Sequence, residues 1–280
     1  MKDYFAGIDI GSSMTKVVIM DESLLVSLIV PTTPEQRKLA NKVIEKTLSR
    51  AKISFNEIIY LVATGYGRMN VPFADKQITE ISCHARGVGY VLPSVNTIID
   101  IGGQDSKAIK VLDGRVVNFV MNDKCAAGTG RFIEIMAETL GVELKDMGGL
   151  SLSADHTAGI SSICTVFAEH EVVNKLSEGI PLPDIIAGVH EAIAARTYGM
   201  ARRVKIESDV VITGGVAKNI GMVRALEEKI GFSVLVPEEP LLTGAIGAAL
   251  LGRDIVEEYR KKGLPAPSAR SDLKEARFYD

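Results

Sequence analysis

The chain has 280 residues, of which 46% are hydrophobic and 24% are charged, and its formal net charge is −3. This composition is that of an ordinary folded protein, and its slight acidity disfavours nucleic acid as a partner. The first ten residues lack the basic and apolar regions of a signal peptide, and no apolar run is long enough to span a bilayer. We therefore expect a cytoplasmic protein with no membrane partner.

The pattern of apolar residues predicts strands and helices in alternation. Short runs rich in β-branched residues predict strands, and apolar residues at helical spacing predict helices. The predicted strands cover residues 5–10, 16–20, 58–63, 97–101, 108–112, 210–213 and 234–237, and the predicted helices cover residues 35–51, 131–140, 165–176, 185–193 and 220–230. Such an alternation is typical of an α/β protein.

One segment of the sequence occurs twice. Residues 8–16 read IDIGSSMTK and residues 99–107 read IDIGGQDSK, with Ile, Asp, Ile, Gly and Lys at matching positions. Each copy follows one predicted strand and leads into another, so each predicts two strands joined by a tight glycine turn. Two equivalent units predict a duplicated fold whose halves begin near residues 1 and 97.

The two Asp-x-Gly turns are the candidate phosphate sites, since the chain has no Gly-Lys-Ser/Thr sequence of the P-loop type. Glycine permits a tight turn in which successive N–H groups converge on phosphate oxygens, and hydroxyls and a lysine add donors. The candidate phosphate-binding residues are Gly11, Ser12, Ser13, Thr15 and Lys16 in the first turn and Gly102, Gly103 and Gln104 in the second. An Asp-x-Gly turn can also close a plain hairpin, but two matching copies favour the phosphate site.

Three polar side chains in these turns are candidates for the chemistry of hydrolysis. Asp9 and Asp100 end their strands, and we expect them to face Mg²⁺ through its bound waters, because Mg²⁺ gives up its hydration shell reluctantly. Gln104 is suited to orienting an attacking water. The turns therefore predict a catalytic set of Asp9, Asp100 and Gln104.

A third glycine pair follows the predicted strand 210–213 and opens a helix. Gly214 and Gly215, with Ala217 and Lys218 after them, would let a flat nucleoside approach the backbone closely. Glycine pairs also serve ordinary strand-to-helix turns, so this signal is weak on its own. We interpret it as an adenosine-binding motif because it accompanies the two phosphate turns.

Together, the phosphate turns and the glycine pair resemble the actin–hexokinase–Hsp70 (ASKHA) ATPase superfamily, as far as about residue 255. The resemblance implies an α/β fold of two similar domains with ATP between them. It places domain I at residues 1–96 together with a C-terminal helix at about 246–262, and domain II at residues 97–245. Residues 263–280 are expected to form a charged, frayed tail.

Two further segments resemble a narrower family. Residues 122–132, NDKCAAGTGRF, and residues 161–169, SSICTVFAE, are similar to signatures of the ATP-dependent activators of 2-hydroxyacyl-CoA dehydratases, in the BadF/BadG/BcrA/BcrD ATPase family. ATGYGR at 63–68 and DIGGQD at 100–105 strengthen the resemblance, which extends to the ATPase subunits of benzoyl-CoA reductase. It implies a homodimer that hydrolyses ATP to drive a low-potential electron into a client dehydratase or reductase, with ferredoxin or flavodoxin as the electron donor.

Cys125 and Cys164 lie within these two segments, each ahead of a predicted helix, and a helix N-terminus stabilises a thiolate. A [4Fe–4S] cluster takes four cysteine thiolates, so two per chain predict one exposed, oxygen-sensitive cluster shared across a two-fold axis. A Zn²⁺ ion across the same dimer would use the same ligands, and buried cysteines also act as small hydrophobic residues. Cys83, the third cysteine, lacks a glycine-flanked helix start and is expected to pack in the core.

Two other functions remain open on the sequence alone. A small-molecule kinase of the same superfamily, acting on an amino sugar or a carboxylate, would need a substrate cleft and no cluster. A non-catalytic protein that binds ATP to regulate an interaction would also hold no cluster. The sequence does not decide among a 2-hydroxyacyl-CoA dehydratase, an aromatic-CoA reductase and another reductase as the client.

Overall fold

The computed structural model describes residues 2–161, 164–269 and 273. The chain divides into two compact units. Unit 1 comprises Met1–Pro93, Asp113–Arg115 and Leu241–Asp280, and unit 2 comprises Ser94–Leu112 and Val116–Pro240. Among the described residues, no helix combines the length and the apolar character that crossing a membrane requires.

Ten strands and eight helices make up the described chain. The strands are β1 (Tyr4–Ile10), β2 (Met14–Met20), β3 (Leu24–Pro31), β4 (Ile58–Thr64), β5 (Lys76–Gln77), β6 (Thr97–Ile101), β7 (Ser106–Leu112), β8 (Arg115–Asn122), β9 (Val210–Thr213) and β10 (Val234–Leu235). The helices are α1 (Gln36–Ala51), α2 (Glu80–Val91), α3 (Gly130–Leu140), α4 (Met147–Leu152), α5 (Thr165–Ser177), α6 (Leu182–Ala201), α7 (Ile220–Ile230) and α8 (Thr243–Lys261).

Unit 1 is built on a mixed sheet with the strand order β3-β2-β1-β4-β5. β1 is antiparallel to β2 and parallel to β4, and both β1 and β4 are buried along nearly their whole length. On one face, α1 packs Val43 and Ile44 against Ile8 and Ile10. On the other face lie α2 and α8, so the central strands are covered on both sides and read as continuous apolar runs.

The C-terminal part of the chain belongs to this unit. α8 begins at Thr243, earlier than the helix expected at about 246–262. It crosses α2 so closely that a Cβ on Gly247 would lie 1.7 Å from the carbonyl O of Cys83, which is why the crossing needs glycine. The segment after α8 was expected to fray, but its described part runs back over unit 1, where the hydroxyl of Tyr60 donates to the carbonyl O of Pro267 at 2.6 Å.

Unit 2 is built on a second mixed sheet with the strand order β10-β9-β6-β7-β8. β6 is antiparallel to β7 and parallel to β9. Its core joins Ile99 and Ile101 of β6 to Phe132 of α3 and Val189 of α6. The helices thus pack on the strand that carries the second copy of the sequence repeat.

The two sheets have one strand order. When β1 to β5 are replaced in turn by β6 to β10, the first order becomes the second, read from its other edge. The register is repeated as well, since Asp9 lies opposite Lys16 and Asp100 lies opposite Lys107. The duplication predicted from the repeated segment is therefore confirmed, and it extends to β4 and β9, which the repeated segment does not include.

Some elements of the structure were not predicted from the sequence. β3 and β8 are edge strands with many exposed positions, so their apolar alternation is weak. α2 contains Gly87 and Gly89, and glycine lowers the helix signal. α4 is only six residues long and contains two glycines.

Candidate functional site

The first phosphate turn joins β1 to β2 in unit 1. The antiparallel register places Asp9 and Lys16 on the same face of the sheet. Lys16 Nζ lies 2.8 Å from Asp9 Oδ2 and donates to the carbonyl O of Met14 at 3.3 Å. The N–H of Gly11 donates to the same carbonyl at 3.0 Å and closes the turn. Asp9 is only 4% exposed, and a charge so buried is tolerated because it is paired.

Thr32, directly after β3, holds the first turn from outside. Its hydroxyl donates to the carbonyl O of Gly11 at 2.9 Å, and its N–H donates to that of Ser13 at 2.8 Å. The hydroxyl of Thr15 is buried and lies 2.9 Å from that of Thr32. Thr15 therefore supports the turn through Thr32, whereas Ser12 and Ser13, the other predicted hydroxyl donors, keep exposed surface.

The second phosphate turn joins β6 to β7 in unit 2. Its lysine contacts two carboxylates, whereas the lysine of the first turn contacts one. Lys107 Nζ lies 3.2 Å from Asp100 Oδ2 and 2.9 Å from Asp105 Oδ2. Thr213, at the end of β9, donates its hydroxyl to Asp100 Oδ1 at 2.8 Å. Gly102 closes the turn by donating its N–H to the carbonyl O of Asp105 at 2.9 Å. Asp100 is thus fixed by donors on two neighbouring strands.

The tip of the second turn is open to solvent. Gln104 is exposed there and Gly103 is partly exposed, so the side-chain amide of Gln104 is accessible to solvent. Lys107, Asp105 and Thr213 were not among the predicted site residues. The sequence held a signal for Lys107, since it repeats Lys16 in the second copy of the segment, but Thr213 is brought in by the pairing of β9 with β6.

Glycines at the ends of β4 and β9 lie against the two hairpins. Gly65 and Gly214 both have a φ of +85°. A Cβ on Gly65 would lie 2.4 Å from Asp9 Oδ1, and one on Gly214 would lie 2.3 Å from the carbonyl O of Ile101. Both positions require glycine, for the backbone conformation and for the space. Gly214 was predicted to approach a nucleoside, and the structure places it, buried, beside the second hairpin.

The rest of the predicted adenosine motif forms a 3₁₀ turn, Gly215–Lys218, that leads toward α7. Gly215 is exposed and Ala217 is buried. The Nζ of Lys218 lies 2.9 Å from a carboxylate oxygen of Glu239. The motif therefore offers exposed backbone at Gly215, as close approach of a flat ligand requires.

Asn219 anchors this motif to the helices of unit 2. Its Oδ1 accepts the N–H of Met222 in the first turn of α7 at 3.0 Å, and its Nδ2 lies 3.0 Å from His190 Nε2 in α6. Since the amide oxygen is engaged by the helix, Nδ2 donates and His190 Nε2 accepts. Burial lowers the pKa of His190 to about 4, so the imidazole is neutral and can accept. The sequence did not single out either residue.

Cys125 lies in the loop between β8 and α3. Asn122 holds this loop, because its Nδ2 donates to the carbonyl O of Cys125 at 2.8 Å and to that of Ala127 at 3.1 Å. Gly128 has a φ of +87°, and a Cβ there would lie 2.9 Å from Cδ of Arg196. The loop is thus a fixed structure around a partly exposed thiol.

The start of α3 is attached to the second phosphate turn. The N-cap of α3 is Thr129, and the N–H groups of Gly130 and Arg131 donate to the carbonyl O atoms of Gly102 and Gly103, both at 2.8 Å. The first N–H groups of a helix have no acceptor within it, and here the hairpin supplies one. The expectation that this helix start stabilises the Cys125 thiolate therefore needs correction, since these two donors point to the hairpin.

Cys164 is itself the N-cap of α5. Its carbonyl O accepts the N–H of Ala168 at 3.0 Å, and its partly exposed thiol stands at the positive end of the helix dipole. Ser162 and Ile163, within the predicted signature, lie outside the described residues. The N–H of Ser161 donates to the carboxylate of Glu171 in α5.

Cys83 differs from the other two cysteines. It is fully buried in α2, and burial raises the pKa of its thiol to about 12. Its place is in the core between α2 and α8, where it packs as a small apolar residue. Across the part of the chain that the structure describes, no three His, Cys, Asp or Glu side chains come together in a way that could hold a metal ion.

Comparison with known proteins adds the family. The model of the BadF/BadG/BcrA/BcrD ATPase family matches residues 6–252. The activator of lactoyl-CoA dehydratase from Anaerotignum propionicum is 48% identical over 91% of this chain and 99% of its own length. The (R)-2-hydroxyglutaryl-CoA dehydratase activating ATPase from Acidaminococcus fermentans is 45% identical over 89% of this chain and 97% of its own length.

Solved structures that are similar to this one include an activator and a kinase. The activator of the 2-hydroxyisocaproyl-CoA dehydratase from Clostridium difficile, with bound ADPNP, has a TM-score of 0.86 at 45% identity and covers 92% of this chain and 97% of its own. A ROK family glucokinase from Streptomyces griseus has a TM-score of 0.56 at 13% identity over 90% of this chain and 99% of its own, which shows the fold alone. The predicted duplicated ASKHA fold is confirmed. The chain belongs to the BadF/BadG/BcrA/BcrD ATPase family.

Proposed function

We propose that this protein hydrolyses MgATP to drive a low-potential electron from a [4Fe–4S] cluster into a client dehydratase or reductase. Membership in an ATPase family and similarity, over nearly the whole chain, to proteins named as dehydratase activators support an ATP-dependent activator. The cluster, the homodimer, and ferredoxin or flavodoxin as electron donor are further parts of the proposal. The observation that carries it is the hydrogen-bonded link between the second phosphate turn and the helix after Cys125.

The two hairpins are proposed to bind the phosphates of MgATP. Backbone N–H groups, the hydroxyls of Ser12 and Ser13 and the Lys16 ammonium are the donors offered to phosphate oxygens. Asp9 and Asp100 fit the waters around Mg²⁺, because lysines hold both carboxylates at strand ends. Bound Mg²⁺ would neutralise charge on the phosphates. Gln104, exposed at its turn, is proposed to orient the attacking water.

Cys125 and Cys164 fit as this chain's ligands to a shared cluster. Both thiols are partly exposed, whereas that of Cys83 is buried, and Cys164 stands where a helix favours negative charge. A [4Fe–4S] cluster takes four thiolates and supplies a low-potential electron when bound. This chain offers two thiols, Cys125 in the loop before α3 and Cys164 at the N-cap of α5, and we propose that a second subunit supplies the same pair.

Apolar side chains beside Cys164 support a subunit interface there. Val166 and Phe167, in the first turn of α5, are 59% and 65% exposed. Large apolar side chains exposed next to one another are usual where a second protein covers the surface. A two-fold axis near Cys164 would bury these side chains against their own copies.

The proposed coupling between nucleotide and cluster runs through unit 2. Gly102 and Gly103 lie in the phosphate turn, and their carbonyl O atoms accept the first N–H groups of α3. A shift of this turn on phosphate binding would therefore move the start of α3 and the loop that carries Cys125. Such a shift would change the exposure of a cluster held by that loop, and hydrolysis would reverse the change.

Purification under argon, followed by a visible spectrum and an iron assay, tests the proposal. We expect a coloured homodimer with about two iron atoms per subunit, which follows from one four-iron cluster per pair. A colourless homodimer that binds zinc would show that the two cysteine pairs hold a structural metal ion and not an iron–sulfur cluster. Four irons per subunit would show that each chain holds a whole cluster and would contradict the shared site.

A further inference from the structure

The lysines of the two phosphate hairpins have the same register and different surroundings. Lys16 and Lys107 each lie opposite an aspartate near the end of a central strand. Lys16 lies between one carboxylate, at 2.8 Å, and one backbone carbonyl, at 3.3 Å. Lys107 lies between two carboxylates, those of Asp100 at 3.2 Å and Asp105 at 2.9 Å. Its side chain is also the more buried, at 2% exposure against 11% for Lys16.

This difference comes from one position of the turn. Met14, whose carbonyl receives Lys16, is replaced at the equivalent position of the second turn by Asp105. The Asp105 side chain folds back over the turn, where a Cβ on Gly102 would lie only 2.5 Å from its Oδ1. Gly102 therefore provides the space in which Asp105 reaches Lys107.

The surroundings decide what each lysine does when a phosphate arrives. Lys16 can exchange a backbone carbonyl for a phosphate oxygen and keep its ion pair with Asp9. Lys107 would have to leave two carboxylates, and leaving a buried carboxylate such as that of Asp100 without its partner is strongly unfavourable. One hydrogen bond to a phosphate oxygen would replace two ion pairs. Lys107 therefore stays in place.

We propose that Lys107 is a positioning residue that stays on Asp100 and Asp105 through the nucleotide cycle, while Lys16 is the lysine that binds phosphate. This inference rests on the proposed ATPase function. The Asp9–Lys16 pair is neutral, whereas the two aspartates around Lys107 leave the second turn with one net negative charge. Loss of Lys107 then impairs hydrolysis through the aspartates and removes no contact to the nucleotide.

Binding of a fluorescent ADP analogue to the full-length protein in EDTA separates the two lysines. Lys16→Met should weaken metal-free ADP binding about tenfold or more, because a charge-assisted hydrogen bond is lost. Lys107→Met should weaken it less than about threefold, yet lower kcat for MgATP hydrolysis about 100-fold with little change in KM. Lys110→Met is the matched control on the same strand, since Lys110 pairs with Glu207 at 2.6 Å, and it should leave binding and kcat as in the wild type.

The paired variant Asp105→Asn/Lys107→Met guards against misfolding. It keeps the net charge of the turn, and unlike Lys107→Met it leaves only one carboxylate, that of Asp100, without its lysine partner. We therefore expect it to melt higher than Lys107→Met and to recover about tenfold in kcat. Weakening of ADP binding by Lys107→Met to the extent seen for Lys16→Met, or wild-type kcat in Lys107→Met, would overturn the inference. A wild-type protein without ATPase activity would instead overturn the proposed function, and the binding contrast in EDTA would still decide the role of Lys107.

Discussion

The phosphate hairpins and the cysteine segments are built in opposite ways. Each hairpin extends a central strand of a sheet, and its charges are buried and paired inside the chain, as Asp9 is with Lys16. Cys125 and Cys164 lie in loops ahead of helices, with partly exposed thiols. The charged side chains of the hairpins are thus paired within the chain, whereas both thiols keep surface open to solvent. From this difference we expect that the proposed nucleotide site and the proposed cluster site can be lost separately.

Two hydrogen bonds join the second hairpin to the segment that follows Cys125. The N–H groups of Gly130 and Arg131 bind the carbonyls of the second phosphate turn, and the loop just before them carries Cys125. Loss of the cluster should therefore leave hydrolysis working, since the hairpins do not depend on the thiols. Nucleotide should nevertheless affect the cluster, because the turn proposed to bind phosphate accepts the first N–H groups of α3.

Replacing a proposed cluster ligand should have the largest effect. Cys125→Ser or Cys164→Ser should abolish the visible absorbance of protein purified under argon, because a four-cysteine cluster loses two of its thiolates when both subunits change. ATP hydrolysis, followed by phosphate release, should continue in both variants. This outcome would show that ATP hydrolysis does not require the proposed cluster ligands.

Cys83→Ala is the matched control for these serine variants. Cys83 is fully buried, and its pKa is raised to about 12 by burial, so it is placed to pack rather than to bind metal. The alanine variant should keep its colour. A Cys164→Ser protein that is still coloured would show that the cluster has other ligands.

The converse test acts on the hairpins. Asp9→Ala and Gln104→Ala should each slow ATP hydrolysis about 100-fold or more, since they remove the proposed metal-facing group and the proposed water-orienting group. Both variants should keep the visible absorbance of the wild type. Gln77→Ala, an exposed glutamine in β5, is the control and should hydrolyse ATP at the wild-type rate. Near-normal rates in both hairpin variants would refute the assignment of the turns.

The close packing of β9 on the second hairpin predicts a smaller effect, on stability. Gly214→Ala should lower the free energy of unfolding by at least about 3 kcal/mol, because it combines a strained φ with a Cβ 2.3 Å from a carbonyl. Gly231→Ala is the control, since Gly231 has a φ of +79° and nothing within 4 Å of its Cβ position. It should cost about 1–2 kcal/mol, for the backbone alone. Equal losses in urea unfolding would contradict the close approach.

His190 predicts the smallest effect, on pH dependence. Burial lowers its pKa in the folded chain to about 4 from the ordinary 6.5 of histidine, so the unfolded chain binds a proton at a higher pH than the folded one. The free energy of unfolding is therefore highest above pH 6.5 and falls as the pH drops toward 4. At pH 5.5 the loss is about 1 kcal/mol. His190→Gln should flatten the urea-unfolding midpoint over this range. His156→Gln, at an exposed position, should not.

The hairpins were predictable because the sequence repeats both their residues and their spacing. Asp9, Asp100 and the turn glycines follow from that repeat alone. Thr32 and Thr213 do not, since they reach the turns from other strands and their positions depend on sheet register.

The helix starts show the same limit. A helical pattern indicates where α3 begins, but what accepts its first N–H groups depends on packing against the second hairpin. For α5, the sequence placed Cys164 beside a helix start, and the structure makes it the N-cap. Local spacing therefore predicted which residues matter, and tertiary contacts decided which of them are joined.

The proposed coupling is tested most directly by the rate at which the chelator bathophenanthroline removes iron from the protein under argon. With MgATP present, we expect iron to be removed at least about threefold faster or slower than without nucleotide, which corresponds to under 1 kcal/mol in the barrier. Gly130→Ala places a Cβ 3.0 Å from the carbonyl O of Gly102, at the link itself, and should reduce the difference while ATP still binds. A rate that is the same with and without MgATP in the wild type, although the protein binds ATP, would contradict the coupling of the phosphate turn to the Cys125 loop.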